Sequence, residues 1–306
     1  LWTREDKVYR ITPRQNDAVN SCWMPDSHRL NYKYINAETR IPQPVIRTDA
    51  EAPHRPSTWE PALASAAEAV KRIAPNQLAI IASGRMTNEE LYMVRHLAAQ
   101  IGTDMVDIVP RMGESDGMLI SADRNPNTNG ARLVLDIEPG SRLDAIREGV
   151  RSGSIKGILS LGEDLISPEA GFTAEDLDKL DYLFMTAHSA NETARHADLV
   201  LPGVTYAEKF GTMINVTGRI QRLNRAIQPI GYARDDWQIF RDITLLLGGN
   251  PALKDFNSAL DILTAMSTEY GALNGVSWGS IGDGGQPILE TGVTIPVVER
   301  EKNQGR

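Results

Sequence analysis

The residues able to do chemistry gather in one stretch of the chain. AHSANETARHADLVLPGVTYAEKFGTMINVTGRIQRLNRA carries Glu192, Thr193, His196, Asp198, Glu208, Thr212, Asn215, Arg219 and Gln221 around a short apolar strand. Polar groups so close to a strand end form either a buried hydrogen-bond network or a groove for a polar ligand. A second group, Thr87, Asn88 and Glu89, follows the apolar run LAIIAS at 78–83. The carboxyl end of a strand in an open α/β sheet is where ligands bind, although Thr87 and Glu90 by themselves make a capping box that needs no ligand. A third segment, GESDGMLISADRNPNTNGARLV, must be a loop with several tight turns, either lining a site or forming a solvated connection. His188 and His196 stand eight residues apart, which favours core or surface histidines over a metal pair. Asp176, Asp178 and Asp181 read as a solvated helix end. Neither G-x-G-x-x-G nor G-x-x-x-x-G-K-[ST] occurs, and no two Cys or His stand at ligand spacing.

The elements that must hold these groups alternate along the chain. Ser57 and Glu60 spell a capping box that opens an Ala-rich helix to about Ala74. Residues 78–83 read as a buried strand, and Leu91, Val94, Leu97, Ala98 and Ile101 predict a helix stopped at Gly102. Then come ARLVLDI at 131–137 as a strand, SRLDAIREGVRSG as a helix, KGILSLG as a strand, TAEDLDKL as a capped helix, and DYLFMTA and DLVLPG as strands. RDDWQIFRDITLLLGGNP and SALDILTAMSTEY predict two further helices, followed by a Gly-rich tail. This alternation predicts an α/β fold with mostly parallel sheets covered by helices.

Composition removes several classes of function. The net charge of −8 is spread along the chain and would repel a phosphate backbone, so no nucleic-acid partner is expected. A single cysteine excludes an internal disulfide and any iron–sulfur cluster held by this chain alone, since such clusters need about four thiolates. No apolar run approaches the ~20 residues that span a bilayer, and charges stand where a signal peptide would be apolar, so a cytoplasmic chain without direct membrane insertion is expected. The start without Met, close to the strand-like KVYRIT, reads as a chain cut from something longer.

The run from Ala190 to Ile243 resembles the molybdopterin oxidoreductase family. The matching residues are Glu192-Thr193-Ala194, Ala197-Asp198-Leu199-Val200-Leu201-Pro202, Glu208, Gly211-Thr212, Asn215, Gly218-Arg219, Gln221 and Asp236-Trp237. The opening VYRITPRQNDAVNSCWMPDSHRLNYKYI resembles the end of the iron–sulfur module in the large G-type subunits of NADH:quinone oxidoreductase, complex I, and MLISADRNPNTNGARLV is similar to the same subunits. Two departures stand out. The cluster-ligand cysteine of W-x-C-D-x-G-R is Pro25 here, with Cys22 three residues early, and Gly113 stands where catalytic relatives place the Cys or selenocysteine that binds molybdenum.

The resemblance implies a remnant of an iron–sulfur module at 1–48, a molybdopterin-oxidoreductase-like region of two lobes at 49–250, and a C-terminal helix and tail at 251–306. It implies a structural and electron-transfer scaffold of a respiratory NADH dehydrogenase, with the other subunits of the peripheral arm as partners and a place on the cytoplasmic side of the inner membrane through the complex. No cofactor is expected in this chain, and iron–sulfur clusters would come from upstream residues or partner subunits. Thr87, Asn88, Glu89, Glu192, Thr193, Asp198, Glu208, Gly211, Thr212, Asn215 and Arg219 would line a vestigial cofactor groove. The alternatives are an active molybdopterin-dependent oxidoreductase, such as a formate dehydrogenase alpha subunit, and an unrelated nucleotide-binding module.

Overall fold

The computed structural model describes residues 1–47 and 52–303; the domain boundary expected at 48–49 lies outside them. The chain opens with an antiparallel hairpin, β1 (Trp2–Arg4) and β2 (Lys7–Arg10), followed by a single helical turn, α1 (Asp26–Arg29), that starts directly after Pro25. Two short strands, β3 (Val45–Ile46) and β4 (Arg55–Pro56), lead into α2 (Trp59–Arg72). The capping box expected from Ser57 and Glu60 does not form. Thr58 is the N-cap, without a side-chain cap bond, because the Ser57 N–H donates to the Pro44 carbonyl at 2.8 Å and holds Ser57 in the extended segment.

The parallel core begins with β5 (Leu78–Ala82), α3 (Asn88–Ile101) and β6 (Val106–Ile108). The residues read as a strand at 131–137 are instead mostly helical, in α4 (Thr128–Leu135). A short apolar run fits a buried strand and a buried helix equally well. Here Ala131 and Val134, three apart, face the core, and Asp136 at φ 53° ends the helix. Next come α5 (Leu143–Ser152), β7 (Gly157–Leu161), α6 (Ala174–Leu177), β8 (Tyr182–Ala187), α7 (Glu192–His196) and β9 (Leu199–Pro202). A hairpin, β10 (Gly211–Ile214) and β11 (Arg219–Leu223), precedes α8 (Asp236–Leu246), α9 (Ala259–Glu269), the turn α10 (Trp278–Ile281), β12 (Gln286–Pro287) and α11 (Pro296–Asn303).

The main sheet has seven strands in the order β4-β3-β9-β8-β7-β5-β6. Strands β5 to β9 pair in parallel, whereas β3 pairs antiparallel with both β9 and β4. A second sheet, β10-β11-β12, is antiparallel. Period-two alternation divides the sheet residues between its two faces. Leu78, Ile80, Phe184 and Leu201 pack with α2, α3, α8 and α9, while Ala79, Ile81, Leu183 and Val200 pack with α5 and α6. Burial on both faces explains why these strands are almost wholly apolar in sequence.

The chain leaves β5 for β6 on one side and returns to β7 on the other, which makes the gap between β5 and β7 a topological switch point. The loops at that end of the sheet carry Ser83–Thr87, Gly162–Asp164 and His188. Among the described residues, no helix is long and apolar enough to cross a membrane.

Candidate functional site

The start of α3 is fixed by its own capping box. Thr87 Oγ1 accepts from the Glu90 N–H at 3.2 Å, and Glu90 Oε2 accepts from the Thr87 N–H at 2.8 Å. The same Glu90 oxygen accepts from Lys209 Nζ at 2.8 Å, and Asp236 Oδ2 lies 3.2 Å from that ammonium. Burial alone would lower Lys209, but the two carboxylates outweigh it and hold the ammonium above its ordinary range.

Beside this triad runs a chain of neutral donors. Asn127 Nδ2 donates to the Met86 carbonyl (2.7 Å) and to Asn88 Oδ1 (3.0 Å), and Asn88 Nδ2 donates to Thr212 Oγ1 (3.0 Å). The Thr212 hydroxyl donates to Glu89 Oε1 (2.7 Å) and its N–H to Oε2 (2.8 Å), while the Ile214 N–H donates to Asn127 Oδ1 (2.7 Å). Gly211 leaves the room that Glu89 needs, since a Cβ there would lie 2.6 Å from Oε2.

No cation pairs with Glu89 among the described residues, and burial pushes its carboxyl from 4.5 up to about 7, partly opposed by the two Thr212 bonds. An acid whose pKa rises on folding stabilises the fold fully below its unfolded value. That contribution is lost as pH climbs from 4.5 to about 7 and stays lost above. We therefore expect the stability of the natural protein, relative to a Glu89→Gln variant, to fall over that interval by roughly 1–3 kcal/mol. Urea unfolding at a series of pH values measures it; equal slopes for both proteins would contradict the assignment.

Glu208 belongs to a second buried pair. Arg40 NH2 donates to Oε1 (2.9 Å) and Oε2 (2.7 Å), its Nε to the His188 carbonyl (2.9 Å) and its NH1 to the Ile35 carbonyl (2.8 Å). Glu208 also accepts from the Thr205 N–H and hydroxyl and the Ile230 N–H. At the switch point, buried Glu163 accepts from Arg111 NH1 at 3.0 Å, with the half-exposed Arg85 3.7 Å away. His188 stacks near Tyr34, with ring centroids 5.3 Å apart. Burial, then the positive charges of Arg40, Lys209 and Arg85, lower His188 to about 4, so it is neutral at pH 7.

The remaining groove residues lie apart from one another. Asn215 Oδ1 caps the β10–β11 turn by accepting from the Thr217 and Arg219 N–H groups, and Arg219 NH1 donates to the Gly285 carbonyl. The Thr193 hydroxyl donates to Asp164 at 2.6 Å. Asp198 accepts from the Leu183 N–H, and Glu192 is an exposed partner of Arg195. Sequence reading did not mark Arg40, Lys209, Asn127, Arg111 or Glu163 as site residues. Only Asn127, inside the Asn- and Asp-rich loop, carried a local signal.

Two close approaches at which a bound group could come near the backbone are taken by the protein's own side chains. Gly113 has no donor atom, and the space its side chain would occupy is held by Arg124, with Nε 2.8 Å from an ideal Cβ. The close approach at Gly84 is likewise used by the protein's own Asn125, 2.6 Å from an ideal Cβ. Asn88, Asn127, Thr212 and Glu89 bond to one another, whereas the hydroxyls of Thr128 and of Thr186, near the end of β8, are buried without a partner. Cys22 is exposed and free, and among the described residues no group of three or more His, Cys, Asp or Glu is arranged to hold a metal.

Residues 124–244 match the family model described as Molybdopterin oxidoreductase. A Staphylococcus haemolyticus protein that bears the name formate dehydrogenase is 32% identical over 144 residues, 46% of this chain and 15% of that protein. The NADPH-Fe(3+) oxidoreductase subunit alpha of Geobacter sulfurreducens is 33% identical over 136 residues, 44% of this chain and 16% of that one. The chain thus spans about a sixth of the length of these curated relatives. Among solved structures, acetylene hydratase from Pelobacter acetylenicus aligns with a TM-score of 0.62 at 9% identity, over 90% of this chain and 70% of that chain. At that identity the likeness shows the fold alone, and it agrees with the α/β architecture of mostly parallel strands covered by helices.

Proposed function

We propose, from the match of residues 124–244 to the molybdopterin oxidoreductase model, that the chain is a scaffold region of a large oxidoreductase subunit of that superfamily that does not itself hold the metal. The observation that carries this reading is the filled strand-end crevice. Polar side chains that could face a cofactor bond to each other, and Arg124 occupies the place beside Gly113. The fold then positions partner subunits that bring the flavin and clusters, on the cytoplasmic side of a membrane that the assembly touches through other chains. The narrower assignment to the complex I large subunit rests on the opening segment, VYRITPRQNDAVNSCWMPDSHRLNYKYI.

A second reading is an active pterin-dependent oxidoreductase of the formate dehydrogenase kind. The names of the relatives favour it over complex I, while the residues around Gly113 oppose it.

Metal content separates the two. The full-length protein, made in a host that synthesises the pterin, is expected to carry molybdenum and tungsten far below one atom per chain and to reduce no viologen dye with formate. Stoichiometric molybdenum or tungsten, together with formate-dependent dye reduction, would overturn the scaffold reading.

A further inference from the structure

Two asparagines of the chain stand directly before a glycine, Asn129 and Asn274. The pair is chemically weak, because glycine has no side chain to shield its amide nitrogen from the carboxamide of the residue before it. The fold treats the two pairs in opposite ways.

Asn129 and Gly130 lie in the first turn of α4. Asn129 is 8% exposed, its Nδ2 donates to the Asn215 carbonyl at 2.7 Å, and its Oδ1 accepts from Arg132 NH1 at 3.3 Å. An ideal Cβ on Gly130 would lie 2.1 Å from Asn88 Oδ1, so the backbone has no room to turn there. Asn274 and Gly275 are instead the centre of an exposed turn between α9 and α10. Asn274 at φ −58° and ψ 125°, with Gly275 at φ 74°, makes a type II turn, closed by the Val276 N–H donating to the Leu273 carbonyl at 2.9 Å. The Asn274 carboxamide and the Gly275 N–H have no hydrogen-bond partner among the described residues, and a Cβ on Gly275 would meet nothing within 4 Å. The extended ψ of Asn274 holds the Gly275 nitrogen away from its side chain, so the turn has to open before the two can meet. Rotation about that one torsion, against one hydrogen bond in an exposed loop, is a low-cost local opening.

We propose that Asn274 is the site at which the folded protein deamidates spontaneously. In the opened turn the Gly275 nitrogen gives up its proton and attacks Cγ of Asn274. The N–Cγ bond forms, the Cγ–Nδ2 bond breaks, and Nδ2 leaves as ammonia with the proton. Water then opens the cyclic imide. Cleavage of the N–Cγ bond leaves aspartate; cleavage at the Asn274 main-chain carbonyl leaves isoaspartate, with the chain running through the former side chain. Either product adds one negative charge, and isoaspartate lengthens the turn that leads into α10, where Trp278 stacks on Phe210 at 4.2 Å.

The full-length protein, aged in mildly alkaline buffer and then digested, gives the test by peptide mass spectrometry, with isoaspartyl methyltransferase labelling to count isoaspartate. Asn274 is expected to deamidate at least about tenfold faster than Asn129, because the buried pair reacts only through a larger opening, and isoaspartate is expected among its products. In urea, where both pairs are free, the two rates should converge. Gly275→Ala should slow the reaction, and Asn274→Gln should abolish the early release of ammonia; thermal melting identifies a variant that fails to fold, and the other then supplies the readout. The proposal is overturned if Asn129 or another asparagine reacts first, if isoaspartate is absent from the product, if the two rates differ as much in urea as in the folded protein, or if early ammonia persists in Asn274→Gln.

Discussion

Arg40→Met is expected to lower the free energy of unfolding by about 3–5 kcal/mol, the cost of removing one partner from a buried ion pair. Arg40 and Glu208 side chains are 2% and 1% exposed, so no solvent is at hand to take over when the guanidinium is lost. Glu208 would keep its bonds from Thr205 and Ile230 but would sit as a buried carboxylate without its cation, and the Ile35 and His188 carbonyls would lose their donors. A double variant, Arg40→Met with Glu208→Leu, removes both charges and should regain most of the loss, because an apolar pair of similar volume often matches a buried ion pair. Urea midpoints measured at constant m-value give the comparison. A single variant within about 1 kcal/mol of the natural protein would show that this pair is hydrated and does not anchor the N-terminal residues.

The second large effect runs against helix propensity. Gly→Ala within a helix ordinarily stabilises by about 0.5–1 kcal/mol. In α4, however, Gly130→Ala should destabilise by about 2–4 kcal/mol, combining overpacking with broken buried hydrogen bonds. An ideal Cβ at Gly130 would lie 2.1 Å from Asn88 Oδ1 and 2.3 Å from Asn127 Oδ1. Both amides would have to move, and the Ile214 N–H and Met86 carbonyl that depend on Asn127 would be left unpaired inside the protein. For a chain of this size the loss corresponds to a fall in melting temperature of about 4–16 °C. A rise would mean that the strand-end network is loose enough to accept a methyl group, and with it that the crevice has room for a ligand.

The legibility of this protein in its sequence follows the range of each interaction. Of the five parallel strands, β5, β7, β8 and β9 are legible as apolar runs bounded by turn residues, whereas the three-residue β6, with Asp107 at its centre, is not. The Thr87–Glu90 box was equally plain because both partners lie within one turn. The letters of the capping box at Ser57 are present yet the box does not form, since a carbonyl from Pro44 accepts from the Ser57 N–H. The helix α4 is not distinguishable from a strand in the sequence, because Ala131 and Val134 in a short apolar run suit either structure. Within the candidate site, Asn88, Glu89 and Thr212 were singled out, but nothing local marks Lys209 as the cation for Glu90, 119 positions away. Nor does anything near Gly113 reveal that Arg124 lies against it.

The antiparallel seam between β3 and β9 also bears on how the chain is made. Residues 1–46 depend for their anchorage on segments far downstream, through Val45 on Val200 and through Arg40 on Glu208, a separation of 168 positions. At about 5–20 residues per second, a ribosome needs roughly 10–30 s to deliver those partners. Throughout that interval residues 1–46 have no sheet to join, and Val8, Ile11, Ile35 and Ile41, which the fold buries, stay exposed. Chaperone demand should therefore be highest while residues 1–46 are outside the exit tunnel and β9 is not, and it should ease once β9 and the following loop have emerged.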